Sequence, residues 1–184
     1  MRVALTLLIA IGVGLVGLTV LGCGGSESAT PPPKSAPTAP DTRPVDLKDV
    51  TLAKLDELVG KQKGRVVLID CWATTCVPCR KAFPHTIALH QKYEKDGLAV
   101  ITVCSDPTDY RDKAAKFLKE NNATCTNFFM ADPKPSKELD EKYPTDALPA
   151  MILFDRAGNR VKAFTFAVDE QEVDELVAKL VAAN

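Results

Sequence analysis

Two cysteines three residues apart, Cys76 and Cys79, stand between a short apolar run and the start of a helix, and this placement restricts the chain more than any other feature. Arg65-Val-Val-Leu-Ile-Asp-Cys-Trp72 is rich in β-branched and bulky side chains and has no polar alternation, the pattern of a strand covered on both faces. A helix is predicted to begin just after Cys76 and to run to about Lys95, with Pro84 inside it and Gly97 ending it. Pro78 then falls early in that helix, where its missing N–H leaves nothing unpaired. A C-x-x-C at a strand-to-helix junction points to redox chemistry more than to a disulfide scaffold.

The position favours reactivity. A helix N-terminus carries partial positive charge and free N–H groups, and both stabilise a thiolate at Cys76 over the thiol. The thiolate is the reactive species. Cys79 lies one turn further along, near enough to close a small disulfide ring. Cys76 is therefore the expected nucleophile toward a partner disulfide, and Cys79 the thiol that resolves the mixed disulfide. The structural alternative is half of a zinc site, which needs two more ligands, usually a second close Cys/His pair. The two histidines, His85 and His90, are five apart. Five residues turn a helix about 500°, so they diverge by about 140° and do not converge on one ion. No metal and no organic cofactor is expected.

The rest of the chain alternates strand and helix. Asp49 or Thr51 can cap a helix with Leu52, Leu55, Leu58 and Val59 on one face. Leu98 to Cys104 is a second buried strand, and Asp109 to Asn121 a helix with Ala114, Ala115, Phe117 and Leu118 inward. Phe128-Phe129-Met130 is a short strand, and Ser136 to Tyr143 a short helix. Ala150–Phe154 and Val161–Phe166 form a hairpin around Asp155-Arg-Ala-Gly-Asn159. Asp169 caps a last helix carrying Val173, Leu176, Val177 and Leu180. The expected class is α/β: a mixed central sheet, parallel strands plus a C-terminal antiparallel hairpin, with helices on both faces.

The first 22 residues stand apart. Arg2 precedes an unbroken apolar or small run from Val3 to Leu21, which reads as a secretory signal peptide. Its end, Val20-Leu-Gly-Cys23, resembles a bacterial lipobox, which implies cleavage before Cys23 and lipidation of that cysteine. An uncleaved membrane anchor is the alternative, since the run nears the roughly 20 residues that span a bilayer. Either places the remainder outside the cytoplasm and tethered. Residues 23–44 form a Gly/Ser-rich and then Pro-rich linker that cannot bury a core. The folded domain is expected over 45–184. With a formal charge of −1, the chain has no basic footprint for nucleic acid.

The segment Leu68-Ile-Asp-Cys-Trp-Ala-Thr-Thr-Cys-Val-Pro-Cys-Arg-Lys-Ala-Phe-Pro84 closely resembles thioredoxin-like proteins, especially the membrane-tethered TlpA/ResA group. The resemblance implies a thioredoxin fold and thiol–disulfide oxidoreductase activity. Pro84 resembles the proline that kinks the active-site helix. Leu148-Pro149 resembles the family's cis-proline, which lies against the disulfide while the backbone of the preceding residue pairs with substrate. Asp70 matches the buried carboxylate of cytoplasmic thioredoxins. It also interrupts an apolar strand, where burial disfavours its charge and raises its pKa, so it is the expected proton acceptor for Cys79. Trp72, packed beside the site, with Val77, Pro78, Leu148 and Pro149, completes the expected substrate-binding set.

This chain departs from the group at four positions. Thr75 replaces a tryptophan, Cys71 an aromatic residue, Ala82 a glutamate near the disulfide, and Val77 an acid. The resemblance implies reduction more than oxidation, a membrane thiol-transferring protein as electron donor, and an extracytoplasmic disulfide protein such as apocytochrome c as acceptor. Two other readings stand beside it. A peroxiredoxin-like thiol peroxidase would carry Thr three residues before its reactive cysteine, where this chain has Ala73. A copper-binding chaperone would use the C-x-x-C thiolates and a downstream histidine, and none follows His90. Cys71 and Cys104 fall on buried strands as small hydrophobes. Cys125 is expected either to pair with Cys104 or to remain free.

Overall fold

The computed structural model describes residues 42–131 and 137–183. The expected signal segment, Cys23 and nearly all of the linker lie outside these residues. No helix among the described residues is long and apolar enough to cross a membrane.

Six strands form one sheet: β1 (Lys48–Val50), β2 (Val66–Trp72), β3 (Leu98–Cys104), β4 (Thr126–Met130), β5 (Ala150–Phe154) and β6 (Arg160–Thr165). Their order is β1-β4-β3-β2-β5-β6. The first four strands of that order pair in parallel, and the β5–β6 hairpin joins β2 antiparallel. The expected mixed sheet with a C-terminal hairpin is therefore present. The element missed in the sequence is β1, a three-residue edge strand with only Val50 buried, too short to carry a periodic signal.

Five helices cover the sheet: α1 (Leu52–Lys61), α2 (Val77–Tyr93), α3 (Arg111–Glu120), α4 (Lys137–Lys142) and α5 (Glu170–Ala182). Thr51, not Asp49, caps α1, its hydroxyl accepting from the Lys54 amide at 3.2 Å. Asp169 caps α5 through the amides of Gln171 and Glu172.

All seven residues of β2 are buried, because helices lie on both faces. Successive side chains of a strand point to opposite faces. Val67, Ile69 and Cys71 pack with Leu52, Leu55 and Val59 of α1 and with Tyr143 just beyond α4. Val66 and Leu68 pack with Leu89 of α2 and Val173 and Val177 of α5. Further along that second face, Trp72 packs with Phe83 of α2 and Ala114 and Leu118 of α3. The alternation places Asp70 on the face covered by α2, the helix that carries the cysteines.

Arg156, in the hairpin turn, ties the far end of the sheet together. Its guanidinium donates to the carbonyls of Gly64, Asp96, Val181 and Ala183 at 2.7, 3.2, 2.8 and 3.0 Å. The last two are unpaired carbonyls at the end of α5. Gly97 makes room for it: at φ +100° a Cβ there would sit 2.8 Å from Arg156 Nη1. Arg156→Ala is expected to lower unfolding stability by about 2 kcal/mol, read as a lower urea midpoint. Because this end of β2 is opposite Cys76, the variant should keep its exchange rate at 25 °C.

Candidate active site

β2 ends at Trp72, and four residues later Cys76 is the N-cap of α2. The connecting loop is fixed by backbone and side-chain bonds. The Cys76 amide donates to Ala73 O at 3.1 Å. The Thr74 amide donates to Asp106 Oδ2 at 2.7 Å. Cys76 and Cys79 form a disulfide, with Cα atoms 5.3 Å apart. The Cys79 amide donates to Cys76 Sγ at 3.2 Å. The amide at the helix start therefore points at Cys76 Sγ, where it would stabilise negative charge.

The two sulfurs are not equivalent. Cys76 is half-buried, whereas Cys79 is 3 % exposed and packed with Trp72, Phe83 and Ile87. A partner can reach the first and not the second. The more exposed sulfur is the one placed to meet a partner disulfide, and the buried one is placed to meet only its neighbour.

Asp70 is buried beneath α2. Its Oδ2 accepts from the Thr86 hydroxyl at 2.6 Å. Thr86 is seven residues beyond Cys79 and so lies on the same helix face, with Phe83 between them. Burial pushes the Asp70 pKa up to about 6, opposed by the Thr86 hydrogen bond and the nearby His85. An acid in that range changes protonation near neutral pH, the property required of a proton acceptor.

The Leu148–Pro149 peptide is cis. Leu148 packs against the cluster that contains Cys79 and borders Cys76. Val77 is 53 % exposed beside Cys76, and Pro78 is exposed as well. Trp72 differs from the substrate-binding role expected of it. It is 0 % exposed and packs against Phe83 and Phe117, with ring centroids 5.1 and 4.9 Å away. The parity of β2 turns it inward, so it supports the disulfide from beneath and touches no partner.

Two residues at the site were not singled out in the sequence. Asp106 holds the active-site loop through Thr74, and nothing in the chain marks an acid two residues past a strand as a loop anchor. Phe166 reads in the sequence as the last residue of a strand. In the structure β6 ends at Thr165, and Phe166 turns into the left-handed region with φ +63°.

The histidines have separate partners. His85 Nε2 lies 2.8 Å from Asp174 Oδ1 on α5. His90 Nε2 lies 3.2 Å from Arg43 Nη2, which also donates to Glu94 at 2.7 Å. Arg43 is thus docked against His90 of α2 and Glu94 just beyond it. Among the described residues no group of three or more His, Cys, Asp or Glu could hold a metal ion.

Cys71, Cys104 and Cys125 are free thiols, so the alternative in which Cys104 and Cys125 pair is not the one formed. Burial raises all three pKa values, that of half-buried Cys125 to about 12. In the reduced native protein, iodoacetamide is expected to modify Cys76 first. Cys125 should react at least about tenfold more slowly, and Cys71 and Cys104 only after unfolding, as read by peptide mass mapping.

The Redoxin family model matches residues 34–180. The chain belongs to the Redoxin family. Among curated relatives, this redoxin is 41 % identical over 64 residues to protein DipZ of Mycobacterium bovis, covering 35 % of this chain and 8 % of DipZ. It is 28 % identical over 118 residues to the thiol-disulfide oxidoreductase ResA of Bacillus thuringiensis subsp. konkukian, covering 64 % of this chain and 65 % of the relative. The match thus spans a small part of DipZ and slightly under two thirds of ResA. Among solved structures it is similar to a candidate thiol:disulfide interchange protein DsbE from Chlorobium tepidum. The TM-score is 0.54 at 27 % identity, over 66 % of this chain and 84 % of that one. The thioredoxin fold implied by the residues around Cys76 is the fold of this redoxin.

Proposed function

We propose that this redoxin is a thiol–disulfide oxidoreductase that reduces protein disulfides outside the cytoplasm, held to a membrane through a lipidated Cys23. The observation that carries the activity is the asymmetric Cys76–Cys79 disulfide at the start of α2, with an ionisable carboxyl buried beneath the same helix. The resemblance of Val20-Leu-Gly-Cys23 to a lipobox supports the anchor, and the Pro-rich stretch after it is long enough to hold the domain clear of a surface.

The reduced protein acts in two displacements. The Cys76 thiolate attacks one sulfur of the partner disulfide, and that S–S bond breaks. One partner thiolate leaves and takes a proton from solvent, while Cys76 is joined to the other partner sulfur. The Cys79 thiol then gives its proton to the Asp70 carboxylate, and its thiolate attacks Cys76 Sγ. The mixed disulfide breaks, and the second partner thiolate leaves and takes a proton from solvent. The products are two partner thiols and the Cys76–Cys79 disulfide, with two electrons passed to the partner. Asp70 returns its proton when the pair is next reduced. A membrane thiol-transferring protein restores the dithiol, and an extracytoplasmic disulfide protein such as apocytochrome c accepts the electrons. Val77, Pro78 and Leu148 form the surface that receives the acceptor, and Pro149, itself buried, holds the chain beside Leu148 in its cis form.

The experiment mixes reduced full-length protein with an oxidised peptide carrying the Cys-x-x-Cys-His sequence of c-type haem attachment. Chromatography then follows the peptide dithiol. Reduced peptide and oxidised protein are expected in equal amounts. A peptide that stays oxidised, while its reduced form is oxidised by the Cys76–Cys79 disulfide, would reverse the direction.

A further inference from the structure

Phe166 has the most exposed large apolar side chain among the described residues, at 75 %. Its backbone lies at φ +63°, where a residue with a Cβ is disfavoured. A ring that buries little, on a backbone better suited to glycine, adds nothing to the fold. Its position is nevertheless fixed. The Phe166 amide donates to Pro149 O at 3.0 Å and to Ala147 O at 3.2 Å.

Those bonds place the ring at the reactive end of the sheet. Thr165 pairs with Ala150, and Ala150 pairs with Cys71, one residue before β2 ends and the chain runs on to Cys76. Leu148, between the two carbonyls that hold Phe166, packs on the cluster bordered by Cys76. Val77, the next most exposed large apolar side chain at 53 %, adjoins Cys76 directly. A partner disulfide has to bring its sulfur onto Cys76 Sγ. The residues beside the partner's cysteine therefore approach the end of the sheet at which Val77 and Phe166 are exposed.

We infer that Phe166 is a specificity-determining contact for the exchange reaction, receiving an apolar side chain that flanks the cysteine of an extended partner polypeptide. This rests on the exchange activity proposed above and adds the partner's local chemistry to it. Aromatic rings contribute disproportionately at protein contacts. One whose backbone is already pinned by two hydrogen bonds loses little further freedom on binding.

The test compares full-length wild type with Phe166→Gly. Glycine adopts φ +63° without strain, so the fold is kept. Phe166→Asn serves as a second variant, because asparagine also tolerates that region. Each protein, in its reduced form, is given three disulfides: a peptide with Leu on both sides of the cysteine, the same peptide with Ser there, and oxidised glutathione. Both variants are expected to lose about tenfold in kcat/KM on the Leu peptide and to match wild type on the other two. Equal loss on all three substrates overturns the proposal, and so does an unchanged rate on the Leu peptide. An unchanged rate together with a dimer-to-monomer shift in sedimentation would assign the ring to a second copy of the chain and also overturn it. Wild type that exchanges with none of the three overturns the exchange reading itself, a result distinguishable from the others.

Discussion

Cys76→Ser is expected to abolish disulfide exchange, lowering the rate by at least about a thousandfold, because among the described residues no other accessible thiolate lies near the site. Cys71 and Cys104 are buried, and Cys125 is held largely protonated. Cys79→Ser should behave differently. The first displacement needs only Cys76, so the variant should react with a disulfide peptide and stop there. It accumulates a covalent adduct whose mass equals protein plus one peptide half. The contrast follows from the burial of Cys79 at 3 % and the openness of Cys76. Intact-protein mass spectrometry reads both variants. An adduct on Cys79 in the Cys76→Ser protein would reverse the assigned roles.

Asp70→Asn is expected to slow the resolving step about a hundredfold at pH 7, within the range a positioned proton acceptor supplies. The first displacement should be unchanged. In wild type the resolving rate should rise as pH passes about 6, where Asp70 loses its proton and becomes able to accept one. The variant should lack that inflection. Rapid-quench kinetics across pH 5–8 separates the two steps, and a retained inflection near 6 would remove Asp70 from the mechanism.

The same residue makes a stability statement with a definite sign. Its pKa is raised on folding from 3.8 to about 6. The folded state therefore binds the proton more tightly than the unfolded state, and stability is highest below 3.8. That stability is lost as pH rises through about 6. The full difference is on the order of 3 kcal/mol. Asparagine does not titrate. The stability of Asp70→Asn relative to wild type should therefore improve between pH 4 and pH 8, measured by urea unfolding at each pH.

The central part of the fold was legible because β2 and β3 are each buried along all seven residues. Helices on both faces leave no room for polar alternation, so both strands appear in the chain as continuous apolar runs. The one charge inside such a run, Asp70, was visible for the same reason. Its partner Thr86 was not, because a threonine seven residues past Cys79 has nothing to mark it until the helix is laid on the sheet. Trp72 was legible as packing beside the site and was also counted in the substrate-binding set. Strand parity instead turns it into the core, opposite Phe83 and Phe117. Phe166 was hidden by its own chemistry. A phenylalanine after Phe164 and Thr165 looks like more strand, and only the hydrogen bonds from its amide to the Pro149 loop reveal the turn. The edge strand β1 and the loop anchor Asp106 depend on contacts with β4 and Thr74 that no local pattern records.

Whether the Cys76–Cys79 pair gives up electrons to partner disulfides is decided by its reduction potential. The full-length protein is equilibrated with dithiothreitol or glutathione buffers, and the thiol content of Cys76 and Cys79 is read by alkylation and mass. A value near the roughly −270 mV of thioredoxin is expected, that of a reductant which must be recharged from the membrane. A value near the roughly −120 mV of strong periplasmic oxidants would contradict it and make the protein a disulfide donor.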